Sequence, residues 1–520
     1  MSILPREKRC KMGIENRLAI EEYTTLARGI ILRGHYKPGG DSGASLRRLM
    51  TLSSPSLYPY AADPDRIDVQ ALRYVLQRLP DRIWAVRTFT VTRSISPMIT
   101  RDFSPVITAA RRRPTYLTGP DSLVTSFRGG MSDLLDFVSA ITCYQIETDK
   151  MRAMAAGSRR GDQDSRDAVS VWDSLDSPGE GGERNSLLHR LSVEFRCGYD
   201  ELKELDEILE GRLPEFVLCA VNSDSRALRV VFTDRFGLLG SYNRRAKQWA
   251  AVVDRAVEGA RFVHLVSSNR HSLVNLLSPW VADLRKTGAD WSGIRLVLQD
   301  PGKQKERSVA DALAGIRTVD VSDDMPFCQI VGLSSSACII NIDYAFGEEG
   351  FFLFNELCET FGERLGSAFI IGKAGTLSGS RGDVMLPSYF VKQGTGDVYG
   401  FENCLSADDF PHDFPFRVLS GGPMLTVDGT FMQNRDVLEY FRSNWNALGV
   451  EMEGIPYVKA LAQAVLRKRI PGGIPVGVVY YASDAPLQGD TLSVPLGEEG
   501  VIPVYAATQA VLNRIRGIVQ

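Results

Sequence analysis

The stretch AFIIGKAGTLSGSRGDVMLP, residues 368–387, decides how this chain is read. Ala368 to Ile371 are apolar and suit a buried strand, and Asp383 to Leu386 suit a second one. Between them the chain runs through Gly372-Lys373-Ala374-Gly375-Thr376-Leu377 and then Arg381-Gly382. Glycines at a strand end let backbone approach a ligand closely, because glycine adopts angles that a Cβ forbids. The same residues also suit a tight turn between two core strands. A Walker phosphate loop is excluded, since Gly372-Lys373 lacks both the upstream glycine and the following Ser or Thr.

Outward from this stretch, strand-like and helical runs alternate. Phe216–Val221 and Leu228–Phe232 read as strands around a turn at 222–225, and Arg244–Ala260 reads as a helix. Phe262–Val266, Ile294–Leu298 and Ile316–Val321 read as strands, with helices over Leu273–Leu284 and from about 306. Further strands are expected at Cys338–Tyr344 and Val476–Tyr481, and helices at 351–362, 436–447, 457–468 and 504–516. Phe354, Leu357, Cys358 and Phe361 form the core-facing stripe of the first of these helices. Such alternation predicts an α/β fold in which helices cover a largely parallel sheet and ligands bind at the carboxyl ends of strands.

The first 155 residues differ. Leu134, Leu135, Val138 and Ile141 recur on one helix face behind Ser132 as N-cap, so residues 1–155 read as a helical accessory domain. Residues 156–190 are rich in Gly, Ser, Asp, Glu and Arg and read as a flexible linker, with Trp172 and Leu175 as its sizeable apolar groups. Residues 191–520 are then the α/β region.

The chain has 520 residues, which favours several domains over one core. Sixty Lys plus Arg against 63 Asp plus Glu give a net charge of −3, so nothing global favours a nucleic-acid partner. The triple Arg111-Arg112-Arg113 has no interleaved aromatics and reads as a solvated face or a loop. No apolar run reaches the roughly 18 residues of a membrane span, and no secretory h-region follows the basic N-terminus, so no membrane partner and a cytoplasmic address are expected. Eight scattered cysteines without a C-x-x-C pair read as buried free thiols. Five histidines without metal-binding spacing give no support for a metal site.

Two further stretches can carry chemistry. In Gly449-Val450-Glu451-Met452-Glu453-Gly454, a strand would turn both glutamates to one face, where a carboxylate can accept two hydrogen bonds from a sugar diol and Met452 can cover a sugar's apolar side. The glutamates equally suit the positive end of the following helix. In Gly477 to Pro486, an apolar strand ends in Ser483-Asp484, where partial burial would raise the aspartate's pKa until it can give up a proton. Ser-Asp-Ala-Pro is equally good turn chemistry.

Taken in order, these stretches resemble the nucleoside phosphorylase and nucleosidase superfamily: a glycine-bearing strand end leading to G-D-hydrophobic-hydrophobic-P, then V-E-M-E, then a strand ending in S-D. Over 326–520 the chain is most similar to the AMP nucleosidases of that superfamily, through Cys338 to Gly347, Gly394 to Asp397 and Ser483 to Pro486. The resemblance implies a nucleoside phosphorylase-like three-layer α/β/α domain with a mixed central sheet, needing no cofactor and assembling as a homo-oligomer.

It also implies roles. Asp484 would protonate a purine base, Glu453 would hold the ribose hydroxyls, and Met452 would pack on the ribose. Glu451, Gly372, Lys373, Ser483, Gly347 and Glu348 would line the substrate site, with Glu348 or Glu349 orienting the attacking water. The implied reaction is hydrolysis of the N-glycosidic bond of a purine nucleoside or nucleotide. Ile370 stands where phosphorylases commonly place an arginine, and Lys373 replaces a small residue, which argues against an inorganic-phosphate site. Leu425 to Thr430 replace an arginine-rich segment of AMP nucleosidases, which argues against recognition of a 5′-phosphate. A phosphorylase and a catalytically inactive nucleotide sensor are the alternative readings.

Overall fold

The computed structural model describes residues 6–93, 95–106, 113–127, 130–161, 171–176, 181–222, 228–233, 239–268, 316–319, 328–332, 336–343, 347–488, 496 and 500–519. The chain divides into two compact units. One comprises Met1–Arg128, Asp133–Phe236 and Gly429–Asn434; the other comprises Gly129–Ser132, Gly237–Asp428 and Arg435–Gln520.

In the first unit the expected helical region is present, in helices Arg6–Arg33, Asp41–Ser53, Val69–Leu76 and Gly130–Gly161. It also carries a six-stranded sheet, of which the sequence reading has only the strand Leu228–Phe232. Its strands are β1 (His35–Tyr36), β2 (Thr88–Thr92), β3 (Ser104–Pro105), β4 (Thr115–Gly119), β5 (Ser122–Ser126) and β6 (Arg229–Phe232), in the order β1-β6-β2-β5-β4-β3. The central strands β6, β2 and β5 are parallel and the outer pairings antiparallel. Strand β2 alternates Thr with buried Phe89 and Val91, and Phe89 meets Phe137 with ring centroids 5.0 Å apart.

Three sequence expectations are corrected here. Phe216–Val221 is not a strand but lies inside the helix Leu213–Asn222, whose buried Leu213, Phe216, Val217 and Ala220 recur at helical spacing. Residues 156–190 are not one flexible linker: the long helix runs on to Gly161, Val171–Ser174 form a 3₁₀ turn, and another helix spans Gly182–Glu194. Trp172 and Leu175 are the reason, being 2% exposed each, with Trp172 against Phe195. Arg113 is not solvated but pairs with Asp133 and lies over the Phe127 ring. Arg111, Arg112, and the elements expected over 273–284, 294–298 and from 306 lie outside the described residues.

The second unit is built on a twelve-stranded mixed sheet. Its strands are β7 (Phe262–Ser268), β8 (Ile316–Val319), β9 (Cys328–Gly332), β10 (Ala337–Asp343), β11 (Leu365–Thr376), β12 (Val384–Leu386), β13 (Tyr389–Lys392), β14 (Val398–Gly400), β15 (Val418–Ser420), β16 (Pro423–Thr426), β17 (Gly449–Glu451) and β18 (Val476–Asp484). The order β14-β13-β16-β17-β11-β7-β10-β9-β8 forms the main path; β18 pairs with β11 and β12, and β15 with β12. Strands β10, β7, β11 and β18 are parallel neighbours, whereas β8–β9, β9–β10 and β11–β17 are antiparallel.

Alternate residues of these strands enter two different cores, which is why the central strands read as continuous apolar runs. Ala368 and Ile370 of β11 pack with Val478 and Tyr480 of β18 beneath the helices Glu349–Phe361 and Gly454–Leu466. Phe369 and Ile371 pack with Val479 beneath the C-terminal helix Val501–Val519. Helices thus cover both faces of the sheet, as the three-layer expectation requires. Among the described residues no helix is long and apolar enough to cross a membrane.

Candidate active site

Strand β11 is the longest of the sheet and organises the site. Its amino-terminal half lies between β7 and β18, and its carboxyl end lies between β17 and β18. Gly375 is in register with Val450 of β17 and with Asp484 of β18. The pairing with β18 is regular from Ala368–Val476 to Ala374–Ala482 and then skips Ser483, so that Asp484 faces Gly375. This is a β-bulge, and it changes which side of the sheet the aspartate occupies. Without it Asp484 would follow Tyr480 and Ala482 toward one core; with it the carboxylate lies over Gly375, on the face that also carries Lys373.

That approach depends on the missing side chain. A Cβ on Gly375 would stand 2.8 Å from Asp484 Oδ2 and 2.7 Å from the Pro486 ring. Gly375 is therefore where a glycine admits the aspartate. Gly372 lies three residues upstream, opposite Tyr480 within the strand pairing.

Asp484 is 7% exposed. The Ser483 hydroxyl donates to its Oδ1 at 2.6 Å. Burial raises its pKa above the ordinary carboxylate range, opposed by that hydroxyl and by the charges of Lys373 and Arg381. Arg381 Nε donates to the Ser483 carbonyl at 3.2 Å, which anchors the loop 377–382 to the bulge. The loop has its own braces. Gly379 N–H donates to Thr376 Oγ1 at 2.8 Å, and Asp383 accepts from Ser380 N–H and from the backbone and guanidinium of Arg417. Gly382, at φ +89°, lies against the Phe416 ring where a Cβ would stand 2.3 Å away. The Gly-Asp pair of the sequence motif is thus the fold's clamp on this loop.

Glu451 ends β17 opposite Thr426 of β16, on the face of Tyr480 and away from the Asp484 carboxylate. It is 4% exposed, and protein donors engage it: the hydroxyls of Thr426 and Tyr480 and the N–H groups of Glu453 and Gly454. The carboxylate of Glu451, expected to line the substrate site, is thus engaged by four donors of the protein itself. Burial raises the pKa of Glu451, against these hydrogen bonds.

Glu453 is also buried; it caps the helix Gly454–Leu466, and its Oε2 accepts the Met452 N–H at 3.3 Å. Met452 is half-buried against the apolar group that contains Leu377, Val450 and Leu487. Gly347 and Glu348 begin the helix after β10, which β7 separates from β11. There the Glu348 N–H donates to Ser132 Oγ, and a Cβ on Gly347, at φ +62°, would collide with that serine.

The structure therefore gathers Asp484, Ser483, Lys373 and Arg381 at the end of β18, while β17, on the other side of β11, leads into the Met452-Glu453 turn. Thr426 and Tyr480 were missed from sequence. Only alternation in β18, which keeps Tyr480 and Asp484 on one face unless a bulge intervenes, bears on them. A buried carboxyl group can donate a proton to a leaving base, and a carboxylate can steady a cationic sugar. Among the described residues, no group of three or more His, Cys, Asp or Glu side chains is placed to hold a metal.

Residues 45–293 and 315–517 match the model of a family described as "Family of unknown function (DUF6909)". No curated protein matches the chain. Solved structures similar to it include the 5′-methylthioadenosine/S-adenosyl homocysteine nucleosidase of Campylobacter jejuni, at 12% identity and TM-score 0.34, covering 49% of this chain and 99% of that one. They also include futalosine hydrolase of Helicobacter pylori, at 12% identity and TM-score 0.32, covering 50% and 98%. A third is the S-adenosylhomocysteine nucleosidase of Streptococcus pyogenes, at 14% identity and TM-score 0.32, covering 50% and 98%.

Proposed function

The chain belongs to the family of unknown function DUF6909, and we propose that its second unit is a purine N-glycosidase that hydrolyses a nucleoside or nucleotide, AMP among them, to free base and sugar. The observation that carries this reading is the bulge at Ser483, which brings the buried Asp484 carboxyl over Gly375 at the end of β11, whose other neighbour there leads into the Met452-Glu453 turn.

In this reading the protonated Asp484 carboxyl donates to N7 of the purine, and Ser483 orients it. The bond between C1′ and N9 breaks with its electron pair leaving on the base. Glu453 accepts from the ribose hydroxyls and stabilises the cationic sugar, and Met452 covers the apolar side of the ring. Water then bonds to C1′ and releases its proton to solvent.

The test is chromatographic detection of free base from AMP, adenosine, inosine and methylthioadenosine, with and without inorganic phosphate, beside Asp484→Asn. Phosphate-independent release that the variant lowers at least a hundredfold supports hydrolysis. Release that requires phosphate replaces the reading with a phosphorylase, and silence on all four substrates ends it.

A further inference from the structure

Glu451 stands out among the buried groups of the second unit because it joins elements that are far apart in sequence. Its Oε1 accepts from the Thr426 hydroxyl of β16. Its Oε2 accepts from Glu453 N–H at 2.6 Å, from Gly454 N–H, and from the Tyr480 hydroxyl of β18 at 3.2 Å. All four partners donate, which matches the acceptor-only character of an ionised carboxylate. A protonated or amide side chain keeps an acceptor on the two backbone N–H groups only by turning its donor toward the Thr426 hydroxyl, and it gives up the carboxylate's charge.

The position of these partners gives the group its consequence. Two are the N–H groups of the N-cap and first residue of the helix Gly454–Leu466, where a carboxylate also meets the positive end of the helix. They fix the backbone on which Glu453 sits. The Tyr480 hydroxyl belongs to the strand that carries Asp484, four residues before it. Two neighbours tighten the arrangement. A Cβ on Gly454 would stand 2.1 Å from the Phe390 ring, and one on Gly449 would stand 2.5 Å from the Gly375 carbonyl. The turn thus has no slack in which to find a second arrangement.

We propose that Glu451 is a positioning residue, which sets the distance between the Glu453 turn and the Asp484 strand through its bonds to Glu453 N–H, Gly454 N–H and Tyr480. It touches no substrate and acts through those two elements. The proposal rests on the nucleosidase reading of the same site. Charge-assisted bonds of this kind are about twice as strong as neutral ones, so even the nearly isosteric Gln weakens the link.

The experiment compares the full-length protein with Glu451→Gln and Tyr480→Phe in two measurements. In base release, each variant is expected to lower kcat about tenfold or more while KM stays within about twofold, because substrate contacts survive and their alignment does not. The double variant is expected to lose little more than Glu451→Gln alone, since both act on one link. Wild-type kcat in both single variants overturns the proposal. The second measurement is independent of activity: hydrogen exchange at the Glu453 and Gly454 amides is expected to quicken at least tenfold in Glu451→Gln, with β11 unchanged. Unchanged exchange overturns the proposal as well. If the wild-type protein releases no base while the exchange responds, the nucleosidase reading fails and the structural link stands.

Discussion

Asp484 and Gly375 are register partners across β18 and β11, and the carboxylate of one occupies the space that a side chain on the other would need. The relation is produced by a single unpaired residue, Ser483, and it decides which face of the sheet receives the acid.

Gly375→Ala should therefore displace Asp484 and Pro486 together, since both lie under 3 Å from the new Cβ. Overpacking of this kind costs about 1–3 kcal/mol of stability. Base release is expected to fall at least tenfold, with the variant still folded in a thermal melt. An unaltered turnover number would show that Asp484 is not the acid.

The rate should depend on pH through Asp484. Burial raises its pKa, and Lys373 and Arg381 oppose the rise. If the protonated form donates to the base, the rate declines as pH rises through that pKa. Lys373→Met removes one opposing charge, so the declining limb should move to higher pH. A limb that stays in place, or moves to lower pH, contradicts the assignment.

Stability of the first unit should fall across the weakly acid range. Asp68 is buried, and its pKa is pushed up to about 6, chiefly by burial, despite hydrogen bonds from the Ala71 and Tyr60 N–H groups. An acid whose folded pKa lies above its unfolded value, about 3.9, favours folding fully below that value and loses the contribution as pH rises to about 6. The loss is on the order of 2–3 kcal/mol. Asp68→Asn should flatten this part of the profile in urea titrations at pH 4 to 7; an equally steep variant would count against the shift.

Lys150→Met should be far more damaging than loss of a surface pair. Lys150 and Glu147 are 7% and 0% exposed and 2.8 Å apart, and Glu147 also accepts from Tyr58 and from the Asp68 N–H. Removing the cation leaves a buried carboxylate without its counterion, at a cost of about 3–5 kcal/mol. Arg442→Ala, which breaks the exposed pair with Glu439, should cost under about 1 kcal/mol. Similar denaturation midpoints for the two variants would refute the contrast.

Sequence reading recovered the elements whose signal is local. The helix 351–362 was expected from the stripe Phe354, Leu357, Cys358 and Phe361, and the structure forms Glu349–Phe361 with those residues buried. The apolar runs at 262–266, 368–371 and 476–481 lie within the strands β7, β11 and β18, and the run at 338–344 overlaps β10, because strands buried on both faces need no alternation. Where the signal was ambiguous the reading failed. Phe216–Val221 has a strand's composition, and only packing of Phe216 and Val217 on one face makes it helical. The alternation of Thr88–Thr92 was available and overlooked, but its partner Arg229–Phe232 lies some 140 residues away, which no local pattern reveals.

What the sequence determined by itself is the chemistry on offer: glycines at one strand end, a Glu-Met-Glu turn, and a Ser-Asp at another strand end, in an α/β alternation that puts such ends at a site. What tertiary structure alone decided is the use of each residue. A one-residue bulge exchanges the faces of Asp484, because side chains alternate with period two and a single extra residue reverses them. Burial among four donors turns Glu451 from a free ligand into a fixed acceptor, because a buried carboxylate must be hydrogen-bonded and its partners here come from two strands, a helix and that helix's N-cap. Those partners meet only when the sheet is assembled.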